Sequence, residues 1–189
     1  MEQKSNTALL VMDMQSAIVN SLPEAPALLE RVQSAVAHAR EKNFLICFVL
    51  VGFRPGTPEV SPCNKSFVKM AQRQPWTAEV AKQWQQLHPA LAPRPEDIRI
   101  TKRRVSAFTG SDLEVVLRAQ GIRHLVLSGV ATSGVVLSTV REAADKDYQL
   151  TVLVDCCADR DEEVHRLLTT KVFPKQADTL ILADWESKD

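Results

Sequence analysis

Leu125-Val126-Leu127-Ser128-Gly129-Val130-Ala131-Thr132-Ser133-Gly134-Val135-Val136-Leu137-Ser138-Thr139-Val140-Arg141-Glu142-Ala143 is the stretch that decides the fold. An apolar run ends in a glycine-bracketed turn, and Val136, Val140 and Ala143 then keep helical spacing. A strand, a tight turn and a helix N-terminus in succession are how an open α/β sheet presents chemistry at the carboxyl ends of its strands.

Outward from this unit, apolar runs alternate with helical patterns, the mark of βαβ units and a parallel sheet. Ala8–Met12 reads as a first buried strand, and Leu28, Leu29, Val32, Ala35, Val36 and Ala39 space out a first helix. Phe44–Val51 is a second strand, and the Pro-, Gly- and Ser-punctuated Gly52–Pro75 a long loop, which in a compact domain is usually functional. Thr77–Leu87 is helical in pattern and is broken by Pro89, Pro93 and Pro95. Asp97–Lys102 is a third strand. Ser111 and Glu114 have the spacing of a capping box for a helix that stops at Gly121. His124–Ser128, Gln149–Val154 and Thr179–Leu182 complete six strands, with helices expected over Ser133–Lys146 and Asp161–Phe173. Right-handed crossovers make this a doubly wound three-layer α/β/α sandwich, Rossmann-like, with strand order 3-2-1-4-5-6. Its switch point lies between the first and fourth strands, where ligand chemistry is expected.

Composition sets ordinary limits. A chain of 189 residues is most simply one domain, 1–189, large enough to bury a core without disulfides or metal. Its 23 basic and 23 acidic residues balance without a basic stripe, which argues against nucleic acid and anionic membrane surfaces as partners. Met1–Thr7 is polar and lacks a signal-peptide apolar region, and no apolar run reaches membrane-spanning length. Cys47, Cys63, Cys156 and Cys157 have neither disulfide-framework nor zinc spacing, so a cytoplasmic protein with free thiols is expected.

Two charged residues close apolar strands. Asp13 ends the first, where burial and neighbours can tune its pKa; a turn or capping aspartate is the alternative. Lys102 ends the third, in Lys102-Arg103-Arg104-Val105-Ser106-Ala107-Phe108; a solvated surface cation is the alternative. Arg54 follows the second strand, where a guanidinium suits a carboxylate, although surface decoration fits equally. Phe53, Phe67 and Trp76 either wall a pocket or form the loop's own small core. His38, His88, His124 and His165 are scattered without ligand spacing.

Val11-Met12-Asp13-Met14-Gln15, the Lys102 segment with Ser111-Asp112-Leu113 after it, the Gly129–Thr139 turn and Val154-Asp155 occur in that order. Together they resemble the isochorismatase-like cysteine hydrolases over nearly the whole chain. The resemblance implies a hydrolase of a small molecule with Asp13 as general acid/base and Lys102 favouring negative charge on the substrate. It implies substrate contacts from Gln15, Val130, Ala131 and Thr132, beside the Arg54 contact read from its strand-end position, and a homo-oligomer. It also implies a non-proline cis peptide at Val130–Ala131, and a nucleophilic cysteine where this sequence has Val135. Nicotinamidase-like members carry an Asp-x-His metal motif after the second strand; here Val51-Gly52-Phe53-Arg54 stands instead, so neither metal nor cofactor is expected.

An isopropyl group can neither ionise nor attack, and Thr132, Ser133 and Ser138 read as helix caps or helix-face residues. Cys156 and Cys157, past the fourth strand from the switch point, are expected to be buried and inert. Three readings stay open: a non-covalent enzyme such as a vinyl-ether-cleaving isochorismatase, a hydrolase in which Asp13 activates water on an amide or ester, and an inactive binding or scaffold protein. A substrate carboxylate against Lys102 and Arg54 is the expected device for turning Asp13 into an acid.

Overall fold

The computed structural model describes residues 5–188. The first four residues of the polar Met1–Thr7 segment lie outside them. Six parallel strands form one sheet: β1 (Thr7–Met12), β2 (Leu45–Val51), β3 (Ile98–Lys102), β4 (His124–Val130), β5 (Gln149–Ala158) and β6 (Asp178–Leu180). Their order is β3-β2-β1-β4-β5-β6, as the alternation of patterns requires. The helices are α1 (Ser16–Val19), α2 (Ala25–Glu41), α3 (Lys65–Ala71), α4 (Ala78–Trp84), α5 (Leu113–Ala119), α6 (Leu137–Asp145), α7 (Glu162–Leu167) and α8 (Leu182–Lys188). π-helical turns lead into α6 (Thr132–Val136) and out of α7 (Leu168–Val172).

β1 is apolar without alternation because both of its faces are covered. Ala8, Leu10 and Met12 point into a cluster with Leu113, Leu117, Val136 and Phe173, while Leu9 and Val11 meet Leu28, Val32 and Val36 of α2 on the other face. A third cluster, Val51, Phe53, Phe67, Trp76 and Ala81, lies within the segment after β2. Phe53 and Phe67 meet edge to face at 5.3 Å and the Trp76 indole donates to the Phe53 carbonyl at 3.2 Å. These aromatics form the loop's own core, not a pocket wall. That segment is also not all loop: Asn64 caps α3, its side chain accepting from Phe67 N–H at 3.2 Å.

Other boundaries differ for local reasons. β5 runs four residues past Val154, because three extra residues bulge out of it between the pairs Leu127–Val152 and Gly129–Cys157. The polar Asp155 that interrupts the apolar run uses its carboxylate to accept Leu182 N–H at the start of α8 (2.9 Å). α4 ends at Trp84, three residues early, where the chain after β1 clasps it: Ser16 N–H donates to Gln86 O (3.1 Å) and His88 N–H to Met14 O (2.9 Å). The capping box does not form. α5 starts at Leu113, whose N–H bonds the Ser111 hydroxyl (3.2 Å), and Glu114 turns to Lys146 instead (2.6 Å). Gly121 does end α5: with φ of 69° it lets Ile122 N–H reach Leu117 O at 2.9 Å.

Gly129 sets the spacing of the two central strands at their tips. It pairs with Met12, and a Cβ there would lie 2.8 Å from Met12 O and 3.0 Å from Met12 Cβ. Gly129→Ala is therefore expected to lower the urea unfolding free energy by about 1–3 kcal/mol, the usual cost of overpacking. Unchanged stability would show that β1 and β4 give way freely.

Candidate active site

Lys102, at the end of β3, reaches across the tip of β2 to Asp13, which directly follows β1; its Nζ lies 3.0 Å from Asp13 Oδ2. Lys102 is 1% exposed and Asp13 7%. The same ammonium donates to the carbonyls of Arg104 and Val105, each at 3.0 Å, so its three protons have three acceptors. The turn after β3 thus wraps around its own lysine and is held further by Ala107 N–H on the Thr139 hydroxyl of α6 (3.0 Å). The Lys102 ammonium is thus fully hydrogen-bonded within the protein, to Asp13 and to the turn after β3.

Asp13 adopts φ of 57° and anchors its N–H on Val49 O at 2.8 Å. Its Oδ1 is buried and accepts no hydrogen bond from the described residues. Burial pushes the carboxyl up to about 6, even though the Lys102 charge and hydrogen bond pull it down. Desolvation is the largest influence on this acid and moves it towards neutrality.

The remaining site residues are placed as follows. Gln15 is fully buried, and its amide pairs with backbone: Oε1 accepts Val51 N–H (2.8 Å), and Nε2 donates to Val51 O (3.1 Å) and to Trp84 O. It clamps the tip of β2 below the site. Arg54 is two-thirds exposed and paired with Glu59 of its own loop at 2.5 Å. Arg103 lies 3.6 Å from the same carboxylate, and Arg104 donates to the Glu59 carbonyl at 3.0 Å. Three guanidiniums thus surround one glutamate beside the lysine strand.

Val130–Ala131 is a cis peptide. The Ala131 carbonyl accepts Gly134 N–H (3.0 Å) and Val136 N–H (3.3 Å), closing the turn. Val135 lies in that turn, buried in the apolar cluster with Ala107 and Phe108. Thr132 is buried with its hydroxyl 2.8 Å from His165 Nδ1, and Asp159 takes both the Ser133 N–H (2.7 Å) and hydroxyl (2.6 Å). His165 and Asp159 were not foreseen. Asp159 directly follows β5 and would have been found by the strand-end rule had the bulge, which hides the strand's true end, been legible.

Burial pushes the thiols of Cys47 and Cys157 up to about 12 and that of Cys156 higher still, so these three stay protonated. Among the described residues, no three His, Cys, Asp or Glu side chains converge as a metal site would require.

A buried acid and lysine at the tips of β1 and β3, on either side of β2, lie at the same edge of the sheet as the tight turn that opens the helix after β4. Residues 7–184 match the isochorismatase domain family. The chain belongs to the isochorismatase family. Among its relatives, the isochorismatase family protein YwoC of Bacillus subtilis is 31% identical over 169 residues, which are 89% of this chain and 86% of that protein. The ureidoacrylate amidohydrolase RutB of Variovorax paradoxus is 32% identical over 171 residues, 80% of this chain and 68% of that enzyme. An isochorismatase family protein from Burkholderia thailandensis has a solved structure that superposes with a TM-score of 0.86 at 28% identity, over 96% of this chain and 94% of that one.

Carbon-13 titration of the Asp13 carboxyl should give a midpoint near 6. Lys102→Met removes the opposing charge and should move it higher. A wild-type midpoint at about 4, the ordinary aspartate value, would contradict the burial argument.

Proposed function

We propose that this isochorismatase-family protein is a hydrolase of a small anionic molecule, working through Asp13 and Lys102 without a covalent thiol intermediate. The observation that carries the proposal is the Asp13 carboxyl: buried, raised to about 6, held by Lys102 on Oδ2 and unpartnered on Oδ1. A proton on Oδ1 is free to be donated, and the conjugate carboxylate, steadied by Lys102, is free to take one back. An acid of this strength is half-protonated near its own pKa and serves in both directions near neutral pH.

Val135 supports the absence of a covalent step. It stands in the turn where the family resemblance places a cysteine, and its side chain is buried and apolar. With a vinyl ether, Asp13 protonates the vinyl carbon, water adds to the resulting oxocarbenium ion, and Asp13 accepts the proton that water releases. The hemiketal then collapses to a carbonyl compound and an alcohol. With an amide or ester, the ionised Asp13 removes a proton from water as it attacks the carbonyl carbon, and then gives that proton to the departing amine or alcohol as the C–N or C–O bond breaks and the acid is released. The Arg54, Arg103 and Arg104 cluster, with a single carboxylate among three cations, favours an anionic substrate.

The test is a screen of carboxylate-bearing vinyl ethers, N-carbamoyl compounds and esters with the wild type and Asp13→Asn. Asp13→Asn is expected to lower turnover by about 10²–10⁴-fold while leaving binding largely intact. Thiol alkylation should leave wild-type turnover unchanged, and metal analysis of the purified protein should find no stoichiometric transition metal. Normal turnover by Asp13→Asn, or an inactivating adduct on any cysteine, would overturn the proposal. Ligands that bind and are never turned over would favour the binding-protein reading, for which the apolar Val135 also speaks.

A further inference from the structure

A cavity of about 490 Å³ opens at the carboxyl end of β5, between the start of α2 and the first turn of α7, and Asp13, Lys102 and Val135 are not among its walls. Leu22 and Leu28 supply apolar surface, and Arg31, Arg160, Glu24 and Glu162 bring charge of both signs. Among the described residues, no ion pair joins any of these four. Arg31 donates through Nε to the Asp155 carbonyl (2.6 Å), and Arg160 donates one nitrogen to the Ser21 hydroxyl (3.1 Å). Among the described residues no hydrogen bond or ion pair uses the remaining guanidinium protons or either glutamate carboxylate, although the Glu162 charge acts on His165.

Asp159 accepts from the Ser133 N–H and hydroxyl, which favour its ionised form, so it brings a third negative charge to the wall. Burial lowers the pKa of His165, whose Nδ1 meets Thr132, against the pull of Asp159 and Glu162. Cys157 is protonated. The volume suits a small molecule. The wall presents the guanidiniums of Arg31 and Arg160 and the carboxylates of Glu24, Asp159 and Glu162, and a ligand carrying both charges complements both sets.

We propose that this cavity is a binding site for a small zwitterion with an aliphatic body, the chemistry of a free aliphatic α-amino acid. Its carboxylate pairs with Arg31 and Arg160, its ammonium with Glu24 and Glu162, and its side chain lies on Leu22 and Leu28. The occupant sits against His165 and Asp159, the two side chains that hold the turn after β4.

The site is tested by calorimetric titration of the full chain, which needs no turnover and so stands or falls separately from the hydrolase proposal. L-Leucine, L-isoleucine, L-valine and L-methionine are titrated beside 4-methylpentanoate and 3-methylbutylamine, the leucine analogues that lack one charge. At least one amino acid should bind, and each analogue should bind about tenfold more weakly than leucine, or worse. Arg160→Ala and Glu162→Gln, both at exposed positions, should each cost about tenfold in affinity with thermal unfolding unchanged. No binding by any amino acid at about 10 mM, equal binding of the analogues, or affinity that survives both substitutions would overturn the proposal. So would an oligomer that these substitutions dissociate in a protein that binds no amino acid, since a second copy would then fill the cavity.

Discussion

The ion pair between Asp13 and Lys102 is the constraint around which the carboxyl edge of the sheet is built. Taking a carboxylate and an ammonium out of water costs several kcal/mol per ion, and their attraction offsets this only when the other hydrogen-bonding capacity is met. Lys102 meets that condition through two backbone carbonyls. The Asp13 carboxyl is raised because burial outweighs the Lys102 charge and the hydrogen bonds that favour its ionised form. A carboxyl raised from 3.8 in the unfolded chain to about 6 in the fold binds its proton more tightly when folded. Its contribution to stability is therefore fully present below about pH 3.8 and is lost as pH rises through about 6. At neutral pH the fold carries this acid at a cost, which suits a group kept for chemistry better than one kept for stability.

The pair also explains features that look unrelated. Lys102 and Asp13 belong to strands separated by β2, so the tip of β2 must stay low and fixed between them. Gln15 fixes it by pairing its amide with Val51. Gly52 follows, where a Cβ would lie 2.5 Å from the Gln85 side chain, so the smallest residue stands at the tightest point. The early end of α4 belongs to the same arrangement, because Trp84 O is one of the acceptors of Gln15.

This division shows what was legible in the sequence. The strands were, because a parallel sheet covered on both faces demands unbroken apolar runs, and β1 is one from Ala8 to Met12. Asp13 and Lys102 were, because a charge that closes such a run has to lie at a strand tip. Gln15 was named from its motif, and nothing in a linear motif says that its amide pairs with the Val51 backbone. The bulge in β5 was hidden because its cause is tertiary. Asp155 looks like a strand terminator until α8 arrives to use its carboxylate. The Ser111–Glu114 spacing misled for a related reason, since Lys146, distant in sequence, offered Glu114 a full opposite charge.

The turn after β4 joins the two halves of the molecule's chemistry. On one side Val135 packs with Ala107, in the same turn that wraps Lys102. On the other, Thr132 and Ser133 are held by His165 and Asp159, which also wall the cavity beside β5. The turn is closed by the Ala131 carbonyl, which accepts Gly134 N–H and Val136 N–H, and Val135 is buried within it. The turn is held by His165 of α7 and by Asp159 just after β5. It lies one hydrogen bond from that cavity and one strand from Asp13.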